Sequence, residues 1–171
     1  LLVDEAYVDF AESDCVDLVR RCERVMVSRT LSKSYALAGL RFGYLVAQPQ
    51  LIQRFAKVKD SYNCDALSIA GATAAIDDQA WLTENVAKIR ATREWMTRQL
   101  GELGFEVIPS QANFVWCKHS ETPAKTLYER LKAAGILVRY MEYPDWQDGL
   151  RISVGTEEQT GACLSLLGGM V

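Results

Sequence analysis

Thr30-Leu31-Ser32-Lys33-Ser34-Tyr35-Ala36-Leu37-Ala38-Gly39-Leu40-Arg41-Phe42-Gly43-Tyr44 sets a lysine among small hydroxyl residues, with an arginine eight positions further on between two glycines. Just ahead of it, Val25-Met26-Val27 is a continuous apolar run, as in a sheet covered on both faces, and predicts a strand over Glu23 to Ser28. Just behind it, Gly43 to Ala47 reads as another strand, and Pro49 opens a helix reaching to about Tyr62. Further out, Leu1 to Val3 reads as a strand ending at Asp4, and Asp14 to Arg20 as a short helix. Strand, helix, strand, loop, strand in this rhythm predicts an α/β sheet.

After Asn63 the pattern changes. Residues 66–103 contain no proline and only two glycines, Gly71 and Gly101. Val86, Ile89, Met96, Leu100 and Leu103 fall at helical steps, with Arg93 in the one broken place. This predicts a long amphipathic helix, interrupted near Asp77 and Asp78 and stopped at Gly104. Beyond it lies a smaller α/β unit. Phe105 to Ile108 and Asn113 to Cys117 read as strands around a Pro109 turn. Thr122 and Pro123 read as N-cap and first residue of a helix that ends at Gly135, with Leu127, Leu131 and Ala134 on its apolar face. Ile136 to Tyr140 and Leu150 to Val154 read as strands, and Thr156 with Gln159 as a capping box opening the last helix. The division expected is thus residues 1–65, a connecting helix at 66–103, and a small α/β domain at 104–171.

The chain has 171 residues, enough for one ordinary domain or parts of two. Hydrophobic residues make up 49% and charged ones 24%, the composition of a globular protein rather than a disordered one. The net charge of -3 comes from 19 basic and 22 acidic residues, well mixed, so no basic block points to nucleic acid. Apolar runs are too short for a membrane span. Cys15, Cys22, Cys64, Cys117 and Cys163 are odd in number, spread out and without a C-x-x-C pair. They read as small buried hydrophobes in a reducing cytoplasm, not as a disulfide framework or metal site. His119 is the sole histidine and sits in what reads as a solvated loop. The first residue is not Met, and the chain opens on what reads as the end of a buried strand. The expectation is a piece of a longer protein.

The chemistry gathers around Lys33. Most lysines are solvated surface residues. One held between apolar segments would lose solvation, have its pKa pushed down, and serve as nucleophile and then base. Thr30 and Ser32 supply hydroxyls, whose ordinary use is to bond their own turn. Arg41, flanked by Gly39 and Gly43, can meet a bulky dianion with two parallel hydrogen bonds. Asp4 is an acid at a strand end, where it would commonly cap a turn. Glu5 competes with it, and strand alternation lets only one of the two face a site. Tyr7 follows three residues after Asp4. A lysine to form an imine, hydroxyls and an arginine for phosphate, and an acid for a pyridine nitrogen are the parts that hold pyridoxal 5'-phosphate.

Asp4-Glu5-Ala6-Tyr7, the Arg29 to Tyr44 segment, Ala112-Asn113-Phe114 and Leu150-Arg151-Ile152-Ser153-Val154-Gly155-Thr156 together resemble the histidinol-phosphate aminotransferase family, within the fold-type I pyridoxal-phosphate aminotransferases. The resemblance runs over essentially the whole chain. It implies part of a large cofactor-binding domain followed by a small C-terminal α/β domain. It implies Lys33 as the Schiff-base lysine, Asp4 at the ring nitrogen, Tyr7 at the ring oxygen, and Thr30, Ser32 and Arg41 at the cofactor phosphate. Arg151 matches the family's small-domain substrate arginine, and Arg139 a second arginine for the substrate phosphate; read without the family, Arg139 is a surface residue on an edge strand. The implied activity is transamination between histidinol phosphate and 2-oxoglutarate in histidine biosynthesis, by a cytoplasmic homodimer. The family's N-terminal half, which supplies a phosphate loop, a ring-stacking aromatic and a tyrosine shared across the dimer, has no counterpart in these residues. Two other readings stay open here: a threonine-phosphate decarboxylase-like enzyme with the same cofactor residues, and a folded fragment without activity of its own.

Overall fold

The computed structural model describes residues 1–144 and 146–171 and divides into two units, Leu1–Val86 and Ala87–Val171. The first holds β1 (Leu2–Asp4), α1 (Val16–Arg21), β2 (Met26–Thr30) and β3 (Gly43–Ala47), with 3-10 turns at Val8–Phe10 and Ala38–Leu40. The sheet order is β1-β2-β3; β1 and β2 are parallel, and β3 is antiparallel to β2. Val19, Val25 and Val27 are buried with Val3, Cys15, Val16 and Val46 packed against them, so α1 is held on one face of the sheet by aliphatic contacts.

β2 starts and ends later than its hydrophobic run predicts. The run alone marks Val25 to Val27, but Ser28, Arg29 and Thr30 join because their backbones pair with Leu45, Tyr44 and Gly43. Gly43 is required there: a Cβ would lie 2.8 Å from the Arg29 carbonyl oxygen. The following helix, α2 (Pro49–Ala56), stops well short of Tyr62. Asp60 takes the Tyr62 N–H at 3.1 Å and Lys59 reaches Asn63, local bonds that compete with helix propagation.

The long helical stretch is two helices, α3 (Ala66–Asp77) and α4 (Gln79–Glu102). Asp78 breaks them: it leaves the helical region as the C-cap of α3 and its carboxylate accepts from the Trp81 N–H at 3.0 Å in the first turn of α4. The boundary between the two units falls within α4.

In the second unit, β4 (Phe105–Ile108), β5 (Phe114–His119), β6 (Arg139–Tyr143) and β7 (Trp146–Ser153) form an antiparallel sheet in the order β4-β5-β7-β6. One face packs on Met96 and Leu100 of α4, on α5 (Ala124–Ala133) through Ala124, Leu127 and Leu131, and on α6 (Glu157–Gly168) through Cys163, Leu164 and Leu167. The break in the α4 stripe has a purpose: Arg93 is buried and donates to the Ala112 carbonyl at 2.8 Å. Gly104 and Gly135 end α4 and α5 with φ of +85° and +82°. The Thr156–Gln159 capping box is present at the start of α6.

Four local expectations differ. Pro123, not Thr122, is the N-cap of α5, because the Thr122 N–H is taken by His119 Nδ1 at 3.1 Å. His119 itself ends β5 and packs edge-on to Phe105, so it closes a turn rather than lying in a solvated loop. β6 begins at Arg139 rather than Ile136, whose N–H is used by the Leu131 carbonyl at the end of α5. Of the cysteines, Cys117 and Cys163 are buried as expected, while Cys22 is exposed and Cys15 and Cys64 are half-buried. Burial pushes the Cys117 thiol up to about 12 and that of Cys163 to about 11, which leaves both as apolar filler. Among the described residues, no helix is long and apolar enough to cross a membrane and no cluster of three metal-ligating side chains occurs.

Leu127 is fully buried at the centre of this core. Leu127→Ala is expected to lower unfolding stability by about 2–5 kcal/mol. Urea unfolding followed by circular dichroism checks it as a lower midpoint at unchanged slope.

Candidate active site

β1 and β2 run parallel with Asp4 beside Ser28, so both deliver their carboxyl ends to the same edge of the sheet. From β1 the chain continues into Glu5-Ala6-Tyr7; from β2 it turns through Leu31-Ser32-Lys33. Arg41 comes just before β3, whose first residue Gly43 pairs with Thr30. The carboxyl ends of parallel strands are where α/β sheets bind ligands. Asp4 and Thr30, the last residues of β1 and β2, and Tyr7, Ser32, Lys33 and Arg41, in the segments beside them, therefore all lie at one end of one small sheet.

Asp4 and Glu5 have opposite fates. Glu5 is buried, accepts from Arg29 Nε at 2.8 Å, lies in ion-pair contact with Arg29 Nη2 at 2.8 Å, and also takes the Cys15 N–H. Arg29 reaches Asp14 as well, at 3.3 Å. Burial by itself would lower the Arg29 pKa, but hydrogen bonds to Glu5 and Tyr44 outweigh it, and the net direction is upward. Glu5 is thus consumed beneath the sheet end. Asp4 is exposed; its Oδ1 accepts from the Ala6 N–H at 3.0 Å, which leaves Oδ2 for a further partner.

Lys33 lies in the turn, exposed rather than desolvated, with its Nζ 5.2 Å from the centroid of the Tyr7 ring. The expectation of a buried lysine fails because the turn sends Leu31, fully buried, into the core and Lys33 away from it. The Thr30 hydroxyl donates to Ser32 Oγ at 2.9 Å and accepts from the Ser32 N–H at 3.1 Å, which shapes the turn around two hydroxyls. Arg41 adopts φ of +52°, a conformation that favours glycine, and one guanidinium nitrogen donates to the Ala38 carbonyl at 2.9 Å. The donor set fits pyridoxal phosphate: an amine over an aromatic ring, a carboxylate with one oxygen to give, two adjacent hydroxyls and a guanidinium with donors left over.

In the second unit, Arg139 and Arg151 stand directly opposite each other on β6 and β7, and Arg151 stands opposite Trp116 on β5. Directly paired residues share a face, and this is the face away from the core, since Leu150 and Ile152 alternate into it. Arg151 lies 5.1 Å from the Phe114 ring, and its buried Nε has no hydrogen-bond partner among the described residues. Two like charges across a strand pair repel, and an orphaned guanidinium N–H is costly. An anion between them would answer both. The floor of this patch is Trp116 lying over Gly149, where a Cβ would come within 2.3 Å of the indole. Sequence reasoning passed over Trp116 and Gly149, although the alternation Phe114-Val115-Trp116-Cys117 puts Trp116 on the face that Arg151 shares.

Residues 1–165 match the aminotransferase class I and II family, and the chain belongs to it. It is 58% identical over 167 residues to the histidinol-phosphate aminotransferase of Rhodopirellula baltica, covering 98% of this chain and 46% of that protein. It is 51% identical over 159 residues to histidinol-phosphate aminotransferase 1 of Trichormus variabilis, covering 93% and 45%. The chain thus spans about half the length of the curated relatives it matches. Among solved structures, the histidinol-phosphate aminotransferase of Sinorhizobium meliloti, in complex with pyridoxal-5'-phosphate, superimposes with a TM-score of 0.88 at 28% identity, over 100% of this chain and 49% of that one. The L-threonine-O-3-phosphate decarboxylase of Porphyromonas gingivalis gives a TM-score of 0.83 at 22% identity over 99% and 54%, a likeness of fold. The mixed α/β architecture is that of pyridoxal-phosphate aminotransferase structures.

Proposed function

We propose that this chain is the lysine-bearing part of a pyridoxal-phosphate aminotransferase that exchanges an amino group between histidinol phosphate and 2-oxoglutarate, a step of histidine biosynthesis. The observation that carries the reading is the gathering of Lys33, Asp4, Tyr7, Thr30, Ser32 and Arg41 at one end of one sheet. The 58% identity to a relative named for this activity supports the substrate. In this reading residues 1–65 belong to a large cofactor-binding domain, 66–103 to a helical connection and 104–171 to a small domain. The protein works as a cytoplasmic homodimer, and five free thiols suit a reducing compartment.

Pyridoxal phosphate, when bound, supplies an electron sink for the pair left on the substrate carbon. Lys33 would anchor the cofactor through its amine and, once the substrate amine had displaced it, would be free to take up a proton at Nζ and give it back, so one amine would act as base and acid. Asp4, whose Oδ1 is taken by the Ala6 N–H, would use Oδ2 to keep the ring nitrogen protonated. Tyr7 would orient the ring oxygen, and Thr30, Ser32 and Arg41 would hold the phosphate. Arg139 and Arg151 receive the anionic end of either substrate.

The test is product analysis with the full-length protein. Glutamate formed from histidinol phosphate and 2-oxoglutarate supports the reading; carbon dioxide released from threonine phosphate instead would replace it. A second measurement concerns the paired arginines. Arg139→Ala is expected to raise the KM for histidinol phosphate by about one to two powers of ten, the loss of one charge-assisted contact, with cofactor content unchanged. Arg151→Ala should also weaken 2-oxoglutarate, since the same guanidinium serves both half-reactions. Cofactor loss in Arg139→Ala at unchanged substrate affinity would sink this assignment.

A further inference from the structure

We propose that Ser34 and Asp9 form a positioning pair that fixes where the Lys33 amine is carried relative to Tyr7; this rests on reading Lys33 as the catalytic amine. Ser34 follows Lys33 directly and is buried, at 5% exposure, while Lys33 is exposed. Its hydroxyl donates to the Asp9 carboxylate. Asp9 sits in the 3-10 turn Val8–Phe10, two residues beyond Tyr7, and Phe10 anchors that turn at 1% exposure.

At its base the Lys33 turn is tied to Phe42, whose carbonyl accepts from the Leu31 N–H at 3.2 Å, and beyond that largely to itself. The Ala36 N–H donates to the Lys33 carbonyl at 3.1 Å, and the Leu37 N–H to the Leu31 carbonyl at 3.0 Å. Ala36 closes it with φ of +56°, and Leu31 plugs it into the core. Those contacts set the shape of the turn. The Ser34–Asp9 bond sets its place against the neighbouring loop, because it joins the residue after Lys33 to the segment that carries Tyr7. The Lys33 ammonium over the Tyr7 ring, at 5.2 Å, is the outward side of the same junction. A charge-assisted bond has a direction as well as a strength, so it holds an orientation that an apolar contact would leave loose. A lysine side chain with four rotatable carbons needs its Cα placed well if its amine is to meet two different carbon atoms in turn.

The experiment uses the full-length protein with cofactor and after its removal. Ser34→Ala and Asp9→Ala should each lower kcat about 30- to 100-fold, the cost of a displacement near 1 Å, while the KM for histidinol phosphate stays within about threefold. Asp9→Asn keeps an oxygen to accept the Ser34 hydroxyl and should stay within about fivefold of the parent. The double Ala variant should be no worse than the poorer single one by more than about threefold, because the two act as one bond. In the cofactor-free protein, hydrogen exchange at the Ala36 and Leu37 amides should quicken about tenfold in Ser34→Ala, with the β2–β3 amides unchanged. A kcat within about threefold of the parent in both Ala variants, or multiplicative losses in the double one, would overturn the proposal. So would faster exchange across the whole β2–β3 ladder, the mark of a general structural role. Should the protein fail to turn over histidinol phosphate at all, the substrate assignment falls instead, and unchanged exchange at Ala36 and Leu37 would still refute the pair.

Discussion

Lys33→Ala abolishes multiple-turnover transamination in the full-length protein, a loss of more than about three powers of ten. Removing a positioned general base costs roughly 10²–10⁴-fold by itself. Here the same residue is also the proposed covalent anchor, so both functions go at once. No neighbour can substitute. Lys33 is the sole lysine in residues 1–56, and the next ones, Lys57 and Lys59, lie beyond α2, where Lys59 is engaged with Asp60 and Asn63. The fold should survive, because Lys33 is exposed and its ammonium contributes only a cation–π contact to Tyr7. The measurement is glutamate production over many turnovers, with thermal unfolding alongside. Substantial turnover by a well-folded variant would show that another group is the base.

The candidate site was legible in the sequence to the extent that its proposed chemistry is local. Lys33, Ser32, Thr30 and Arg41 fall within twelve residues, and Asp4 and Tyr7 within four, so residue type and spacing sufficed to group them. What brings the two groups to one edge is the parallel register of β1 and β2, a long-range pairing that no local pattern encodes. Strand limits failed for the same reason. Ser28, Arg29 and Thr30 are polar and look like loop, yet the ladder with β3 makes them strand. The fate of Lys33 was misjudged because apolar neighbours in sequence need not be neighbours in space: Leu31 and Lys33 leave the turn in different directions. Periodicity served better where one face is buried throughout. Met96, Leu100, Leu127 and Leu131 are core as their spacing required, and Arg93 broke the stripe because its guanidinium has a carbonyl to satisfy.

Asp4→Asn leaves the fold intact and costs about 3 kcal/mol of transition-state stabilisation, roughly a hundredfold in rate. The amide cannot hold a proton on a pyridine nitrogen as a carboxylate does, so the electron sink weakens while binding persists. Asp4 and Glu5 are adjacent acids at one strand end, and their surroundings separate the two roles. Glu5 already holds Arg29 through one hydrogen bond within an ion pair, and takes the Cys15 N–H, from a buried position. Glu5→Gln should accordingly lower stability by about 1–3 kcal/mol, the scale of a hydrogen bond to a charged group, and change the chemical step far less. Asp4 spends one oxygen on the Ala6 N–H at 3.0 Å, a bond that Asn keeps through its own carbonyl oxygen, so the turn after β1 should hold. The two variants then move different observables: single-turnover rate and cofactor absorbance for Asp4→Asn, unfolding midpoint for Glu5→Gln. A reversed outcome, with Glu5→Gln slow but stable and Asp4→Asn nearly unaffected, would mean that the strand end presents the other carboxylate to the cofactor.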